Sequence, residues 1–508
     1  MNTGTTRWIT IALSLFIAAG ASAQDGATAL NDPGGGGAAG SPPDRLDLRG
    51  VIERVLNSDP TIRISRRSVG IARAGYDRTR GATLPNVDLS LRPYGYDRRR
   101  VPGGAGEVEQ TTHSAGVGLS VQQPLPTSGA LVGSLDHELR FVDGSEQTVE
   151  QVPELALSLT QPLFVNGNVI DTTVFRAGLR SAEISYEQAA ISDLITRNRS
   201  IDTALSLYIQ VASLRRSVDL LERTIALLDR QIESARLDRE QGLISESALL
   251  ALQVSRNNRR STLFDTELAL LSTEQSLARA IGIETVAGVL LDDRMAPLPL
   301  PLPDAAADMA SASPERAIQE LALEQAREQS LLNELTDRPE LSLSFRTTPL
   351  YPETRQDPDD AASSIGDYFE NGSGWESSFA LELTVPLVTR REREARERID
   401  SLTREQEAIS AEDTTRQVAN ALQTLLAERR FLTERLQLLE TEIEYEQQRL
   451  ENEQTLLDAG VSTELAVDEV ELDLVSRQNE AWQAEANLYL NALEILTTIG
   501  RDLSAELL

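Results

Sequence analysis

The chain carries one ordered set of landmarks twice, and this repeat constrains its fold more than any other feature. Gly242 in EQGLISESALL and Gly460 in DAGVSTELAV each interrupt a long helical stretch, and they lie 218 residues apart. The pairs Ile281–Gly282 and Ile499–Gly500 have the same separation, and the two intervals align without a gap. Because a repeated pattern indicates a repeated structural unit, the sequence predicts a tandem duplication.

A second set of paired landmarks lies upstream, at a constant offset of 254 residues. Pro60 and Pro314 each follow a polar residue and begin a helix. Pro85 and Pro339 each end a helix and begin a strand. Each half is therefore predicted to contain a short helix, strands, a long helix, a glycine turn and a medium helix, in that order.

The helix lengths predict two long hairpins. The stretch from Gly167 to Gly242 would span about 110 Å as a helix, and that from Arg390 to Gly460 about 105 Å. A medium helix and a short helix placed end to end would together span about 97 Å, nearly the length of one long helix. Gly242 and Gly460 would then mark the far tips of the hairpins, since glycine tolerates the left-handed conformation that ends a helix.

The strands alternate between apolar and polar residues, as in Val87, Leu89 and Leu91 of LPNVDLSL. The returning strands, LALSLTQPLFVNG (155–167) and FALELTVPLVTR (379–390), alternate likewise and share a Pro-Leu pair. A half-buried soluble sheet gives this pattern. Strands of about ten residues with aromatic residues near their ends instead suit an outer-membrane barrel. The aromatic residues are Tyr94, Tyr96, Phe164, Tyr351, Trp375 and Phe379.

Four such strands are too few to close a barrel, so the barrel would have to be shared between copies of the chain. The first half complicates this count. It has 77 residues from Pro85 to Pro162, against 47 from Pro339 to Pro386 in the second half. The additional residues include 114–141, two alternating runs around PTSG, which could form two further barrel strands or a surface hairpin.

The first 23 residues are predicted to be a cleavable signal peptide. Arg7 precedes the apolar run Trp8–Gly20, and Ala21–Ala23 supplies the small-x-small cleavage pattern. Residues 24–45 would form a Gly/Pro-rich flexible linker. The first structural repeat then covers 46–285, a proline-rich linker covers 286–311, and the second repeat covers 312–508.

The net charge of −31 argues against a nucleic-acid partner, because phosphates require basic patches. The chain has no cysteine, which excludes disulfides and thiolate metal sites. Its two histidines, His113 and His137, are not in a metal-ligand spacing, and no phosphate loop or nucleophile motif is present. The sequence therefore predicts a protein that is not an enzyme and has no cofactor or metal.

Taken together, the paired strand motifs LPNVDLSL, LSLTQPLF and TVPL, the two glycine tips and YLNALEILTTIG (489–500) resemble the TolC-like outer-membrane efflux protein family. The resemblance covers about 46–508. It implies an α+β membrane protein in which duplicated helical hairpins form a trimeric α-barrel, joined to a shared antiparallel transmembrane β-barrel. It also implies an outer-membrane location in a Gram-negative bacterium, with the helices extending into the periplasm.

The same resemblance implies a function and partners. The protein would be the passive exit duct of a tripartite efflux pump or a type I secretion system. A homotrimer in outer-membrane lipid would bind a periplasmic adaptor, and an inner-membrane transporter would supply the energy. The adaptor would dock at the hairpin tips. Candidate docking residues are Gly242, Leu243, Ile244, Ser245, Gly460, Val461, Ser462 and Thr463.

In the family, a ring of aspartates narrows the tunnel entrance. Aligned on Ala459–Gly460, the first family aspartate falls on Ala466 and the second on Glu469, with Asp468 between them. Asp468 and Glu469 are therefore candidate constriction residues with an altered pattern, although ordinary solvated helix charges would look the same.

An exported periplasmic coiled-coil tether without a pore is the alternative. It explains the charged stretches 390–410 and 434–454, which are typical of exposed helices. It leaves the duplicated strands unexplained.

Overall fold

The computed structural model describes residues 45–103, 106–143, 148–165, 168–292, 298, 310–336, 339–350, 355–356, 374–385 and 390–508. The predicted signal peptide, nearly all of the predicted linker 24–45, and much of the linker 286–311 lie outside these residues. So do Gly167, Tyr351 and the pair Pro386–Leu387.

The described residues form eight helices, four of which build two long hairpins. They are α1 (Leu48–Ser58), α2 (Pro60–Gly81), α3 (Thr173–Glu240), α4 (Glu246–Ala280), α5 (Pro314–Thr336), α6 (Arg390–Asp458), α7 (Glu464–Thr498) and α8 (Leu503–Leu507). The long helices α3 and α6 contain 68 and 69 residues, and the medium helices α4 and α7 contain 35 each. The predicted order of elements is therefore present in both halves.

A medium and a short helix meet end to end in each half, as the lengths predicted. Gly282 follows α4 and lies against Ser58, the last residue of α1, two residues before α2 begins, where an added Cβ would come within 2.5 Å of the Ser58 Cβ. Gly500 follows α7 and lies against Pro314 at the start of α5, with the corresponding distance to Pro314 Cδ at 3.0 Å. The absence of a side chain at these two glycines is what lets the helix ends approach.

Six long strands form one antiparallel sheet at the other end of the hairpins. They are β2 (Asn86–Gly103), β3 (Gly106–Pro124), β4 (Ala130–Asp143), β5 (Thr148–Val165), β8 (Glu340–Leu350) and β10 (Gly374–Thr384). Two-residue strands β6 (Asn168–Val169) and β9 (Arg355–Gln356) pair with β5. The order across the sheet is β10-β8-β5-β4-β3-β2.

The structure settles two points about the strands. Residues 114–124 and 130–141 lie in β3 and β4, so this segment adds two strands to the sheet and does not form a separate surface hairpin. The expectation of about ten residues per strand holds for β8 and β10, with 11 each, but is wrong for the first half, whose strands have 14 to 19 residues. Cross-strand pairing runs the full length of β2 and β3, which extends these strands beyond their alternating segments.

The main hydrophobic core lies partway along the hairpins, where the ends of the medium helices meet α1 and the preceding Leu46. Its fully buried side chains include Ile52, Ile201, Leu422 and Leu493, which come from α1, α3, α6 and α7. The core thus joins both halves at one level of the molecule.

A small parallel sheet fastens the inter-repeat segment to this core. Strand β1 (Arg45–Leu46) pairs with β7 (Leu290–Leu291), and the buried Tyr208 hydroxyl lies 2.9 Å from the Leu46 carbonyl oxygen and 2.8 Å from that of Asp292. Arg45, placed by the sequence in a flexible linker, is therefore paired, because β7 offers a backbone edge beside it.

Candidate functional site: hairpin tips and open edges

Both hairpin tips are built in the same way around a glycine in the left-handed conformation. Gly242 has φ +76° and Gly460 has φ +70°. At the first tip the Leu243 amide donates to the Asp238 carbonyl at 2.8 Å, and at the second the Val461 amide donates to the Leu456 carbonyl at 2.9 Å. These bonds satisfy carbonyls that a helix end leaves free, which is the Schellman arrangement.

The residues after each glycine divide into caps and exposed apolar groups. Ser245 and Thr463 accept hydrogen bonds from Ala248 N and Ala466 N and so cap α4 and α7. Leu243 and Val461 are 69% and 75% exposed. Of the other two candidates, Ile244 packs on a small core in the first hairpin and Ser462 donates to the Glu453 carboxylate.

The two candidate constriction carboxylates face different surroundings. Asp468 forms an ion pair with Arg230, so it links α7 of the second hairpin to α3 of the first. Glu469, one residue further along α7, is exposed. The structure thus brings Asp468 to the junction between hairpins and leaves Glu469 on a solvent-facing side.

Arg230 was not identified from the sequence, because arginines are frequent along these helices and no spacing marks one as a partner for Asp468. Ion pairs within each hairpin lie at a similar level. Arg256 and Asp229 are 3.0 Å apart in the first hairpin, and Arg449 and Asp473 are 3.1 Å apart in the second. The Arg230–Asp468 pair differs from these because it joins the two hairpins.

A second contact between hairpins lies further from the tips. The Arg216 guanidinium of α3 sits 4.7 Å from the ring centroid of Trp482 in α7, a distance at which a cation and an aromatic face attract. Trp482 is 8% exposed. The position that corresponds to Trp482 in the first repeat is Phe264 of α4, and it is 64% exposed.

The helices pack side by side into a wall. The difference in exposure between Trp482 and Phe264 shows that the two outer edges of this wall are unlike. Helix α3 packs against α2 and α4 of its own half and against α5 and α7 of the other. Helix α6 packs mainly against α5 and α7. One outer edge of the wall is therefore formed by α2 and α4, and the other by α6.

Exposed apolar residues line both edges, several of them seven residues apart, and such stripes favour packing against a further helix. On α4 they are Leu250, Val254, Phe264, Leu268 and Leu271, and on α6 they are Leu402, Ile409, Phe431, Leu438 and Tyr445.

The sheet has two open edges that continue those of the helical wall. Among the described residues, β2 pairs only with β3 and β10 pairs only with β8. Helix α2 leads into β2, and β10 leads into α6. The molecule therefore presents one edge made of α2, α4 and β2, and an opposite edge made of β10 and α6.

The two faces of the sheet differ in polarity. Leu89, Leu119, Leu135 and Leu155 lie directly opposite one another across four strands and share a face. Leu131, Leu159, Phe345 and Phe379 continue that face to the other edge. Many of these apolar side chains are substantially exposed.

The other face of the sheet is polar and charged. Asp88, Ser120 and Ser134 form one cross-strand row. Glu138 of this face lies 2.7 Å from Arg140 and 3.4 Å from Arg92. This alternation, apolar on one side and charged on the other, matches strands whose two faces meet lipid and water.

The described residues contain no group of three or more His, Cys, Asp or Glu side chains arranged to hold a metal. His113 contacts the rings of Tyr94 and Tyr96, with centroids 5.8 and 5.4 Å away. Within the described part of the chain, none of the helices combines the length and the hydrophobicity that a membrane crossing requires.

Solved outer-membrane channels share this architecture. The chain matches VceC of Vibrio cholerae, an outer membrane protein, with a TM-score of 0.59 and 13% identity over 89% of this chain and 96% of VceC. It matches the CmeC outer membrane channel of Campylobacter jejuni with a TM-score of 0.60 and 10% identity, over 89% of this chain and 85% of CmeC.

It also matches the open state of the MtrE outer membrane channel of Neisseria gonorrhoeae, with a TM-score of 0.58 and 16% identity over 90% and 89% of the two chains. No family model matches the sequence, and no curated protein matches it. At these identities the structures share a fold, and the predicted TolC-like α+β fold is confirmed.

Proposed function

Since the chain has the fold of TolC-like outer-membrane channels, we propose that it is one protomer of a homotrimeric outer-membrane exit duct. The sheet would lie in the outer membrane of a Gram-negative bacterium, and the helical hairpins would extend into the periplasm. The duct would be passive and would serve a tripartite efflux pump or a type I secretion system, with an inner-membrane transporter supplying the energy.

The observation that carries this proposal is the exposed apolar face of a sheet whose two edge strands have no outer partner among the described residues. A contiguous apolar patch of this extent is a liability for a protein surrounded by water, and unpaired strand edges invite aggregation. Lipid would cover the apolar face, but the backbone groups at an edge must still be paired there. Closure of several sheets into one barrel satisfies both requirements.

The two unlike edges support closure by a ring of identical chains. An edge that differs from its opposite edge makes head-to-tail contacts, and these close into a ring when the rotation permits. In this arrangement β10 of one chain pairs with β2 of the next, and α6 of one chain packs against α2 and α4 of the next.

The internal repeat identifies the residues of that interface. Within the chain, α3 packs on α7 and buries Trp482 beneath Arg216. The repeat-equivalent pair is α6 and α4, in which Phe264 corresponds to Trp482 and Glu434 corresponds to Arg216 at the same offset of 218. We infer that Phe264 of one chain packs near Phe431 and Glu434 of its neighbour.

The tips are the proposed docking surface for a periplasmic adaptor. Leu243 and Val461 occupy equivalent positions, project from rigid glycine caps and are exposed. In a trimer these two residues would give six similar apolar points around the end of the helical barrel. Gly242, Ser245, Gly460 and Thr463 would hold the tips in shape, while Ile244 and Ser462 would brace them from within the hairpin.

Asp468 and Glu469 would act near the tunnel entrance in different ways. The Arg230–Asp468 pair ties the second hairpin to the first, so breaking it would favour an open entrance. The exposed Glu469 would add negative charge that favours cations.

Purified protein in detergent and in planar bilayers tests the proposal. We expect a trimer, a compact band on unheated gels that shifts on boiling, and stepwise conductance in the bilayer. The alternative, a coiled-coil tether, predicts a protein that fractionates with soluble or peripheral material and opens no conductance. That second result would contradict the duct.

A further inference from the structure

Among the described residues, the β3–β4 hairpin is present in only one of the two repeats. In the second repeat β8 pairs directly with β10. In the first repeat, β2 and β5 occupy the corresponding places and are separated by β3 and β4. The duplicated plan alone would therefore supply four long strands from each chain, and the inserted hairpin raises the described number to six.

The register shows that the hairpin is built into the sheet. Pairing is continuous from β2 to β3, from β3 to β4 and from β4 to β5, apart from a single bulge between Arg92 and Gly95. Val87, Val121, Gly133 and Leu157 face one another in a single row across these strands.

The faces of the hairpin also match those of its neighbours. Val117, Leu119 and Val121 of β3 are exposed on the apolar face, with Leu131 and Leu135 of β4. Between them, residues such as Ser120 point to the polar face. A hairpin folded over the outside of a barrel would have no reason to keep this shared alternation, whereas a wall strand requires it.

Strand number determines barrel width. Neighbouring strands lie about 4.8 Å apart and tilt by about 40°, so four strands per chain in a trimer would close at a backbone diameter of about 24 Å. By the same geometry, six strands per chain would close at about 36 Å.

We propose that the β3–β4 hairpin forms part of the barrel wall and widens the outer pore to eighteen strands, six from each of three chains. The hairpin is then a size determinant, and the outer mouth admits solutes about 12 Å wider than the duplicated four-strand plan would allow. This inference rests on the proposed trimeric duct.

Deletion of residues 106–147 tests the proposal, because it restores in the first repeat the direct pairing found between β8 and β10. It would bring Leu89 opposite Leu155 and so preserve the apolar face, since these residues already share a row. In planar bilayers, polyethylene glycols of graded size are added from the barrel side, and blocking of the conductance gives the cut-off. We expect the cut-off diameter to fall by about 12 Å. A trimeric deletion variant with an unchanged cut-off would overturn the proposal.

Cysteine labelling provides a test that does not depend on the deletion variant folding. The chain has no cysteine, so Leu119→Cys and Ser120→Cys can each be probed in reconstituted trimers with a membrane-impermeant maleimide. We expect Ser120→Cys to react at least tenfold faster than Leu119→Cys. Leu89→Cys and Ser90→Cys in β2 are the matched controls.

The outcomes distinguish the two proposals. Equal reaction at 119 and 120, with a clear difference between 89 and 90, would place the hairpin outside the wall while leaving the duct intact. Equal reaction in both pairs, or no conductance from the full-length protein, would instead contradict the duct itself.

Discussion

At the scale of single residues, four of the five described glycines with positive φ lie at the ends of the long and medium helices, in two different environments. Gly242 and Gly460 at the tips have open space where a Cβ would lie, whereas Gly282 faces Ser58 just before α2 and Gly500 faces Pro314 at the start of α5. All four have φ between +69° and +77°. Backbone conformation is therefore the shared requirement, and close approach is an additional one at Gly282 and Gly500.

We expect Gly460→Ala to destabilise the protein by roughly 1–2 kcal/mol, the cost of a left-handed alanine. Gly282→Ala should cost more, because its Cβ would also meet Ser58 at 2.5 Å. Loss of helical circular dichroism on heating or in denaturant measures both variants. Equal destabilisation would contradict the additional cost of the close approach between Gly282 and Ser58.

The Arg230–Asp468 pair gives a prediction about the entrance. If the proposed duct is correct, Asp468→Asn should raise its open probability, while changing stability by at most about 1 kcal/mol because the pair is partly exposed. Single-channel recording measures the effect. Asp473→Asn is the control, since Asp473 pairs with Arg449 inside one hairpin. Equal effects of the two variants would rule out a specific link between hairpins.

At the scale of elements, a polar clamp fastens the end of the described chain to the first long helix. Asn198 of α3 is 3% exposed, donates to the Arg501 carbonyl at 2.7 Å and accepts from Leu503 N at 3.1 Å. Arg197 lies 3.0 Å from Asp502. The short helix α8 is thereby held against α3 beside the main core.

We expect Asn198→Ala to cost about 1–3 kcal/mol, because the buried Leu503 amide and the Arg501 carbonyl lose their partner. The variant should lose stability without losing conductance, since Asn198 lies away from the tips and the sheet. Thermal unfolding and bilayer recording, run on the same preparation, separate these effects. A variant as stable as the parent would contradict the clamp.

The same clamp predicts that the stability of the fold depends on pH. Burial alone would raise the pKa of Asp502, but the hydrogen bond from Ser504 and the charge of Arg197 outweigh it and hold the pKa below its ordinary value of 3.8. A lowered pKa in the folded state stabilises the fold above pH 3.8, and this contribution is lost as the pH falls through the folded pKa. Asp502→Asn should therefore be less stable than the parent at pH 7, with the gap closing below pH 4. A gap independent of pH would show that the carboxylate charge is not what matters.

At the scale of the whole molecule, each chain contains one helix–helix contact between its two halves, that of α3 with α7. The proposed ring requires the equivalent contact, that of α6 with α4, between neighbouring chains. Trp482 of α7 is buried against α3, while its equivalent, Phe264, is 64% exposed on one edge and Phe431 is 71% exposed on the opposite edge. A single chain therefore has two exposed apolar edges that could pack against each other in neighbouring chains. Neither edge has a partner within the described residues of its own chain.

Cysteines at Phe264 and Glu434 should be joined between chains by a short bis-maleimide, giving dimers and trimers on denaturing gels. The matched control pairs Leu243→Cys with Glu434→Cys, because Leu243 lies at the exposed tip, far along the hairpin. Phe264→Glu should weaken the trimer in sedimentation experiments, whereas Leu243→Glu should not. Cross-linking confined to single chains would contradict the head-to-tail ring.

The sequence by itself determined the duplicated plan, the hairpin tips and the alternating strands, because each depends on local rules. Positive φ selects glycine, proline ends helices, and period-2 alternation follows from the two faces of a strand. Gly242 and Gly460 could be read in this way. Only the tertiary structure decided that β3 and β4 join the sheet, that Arg230 is the partner of Asp468, and that Trp482 is buried while Phe264 is not. These outcomes depend on which distant segments of the chain come into contact. The local sequence around two equivalent residues of a repeat does not show which neighbour each will have.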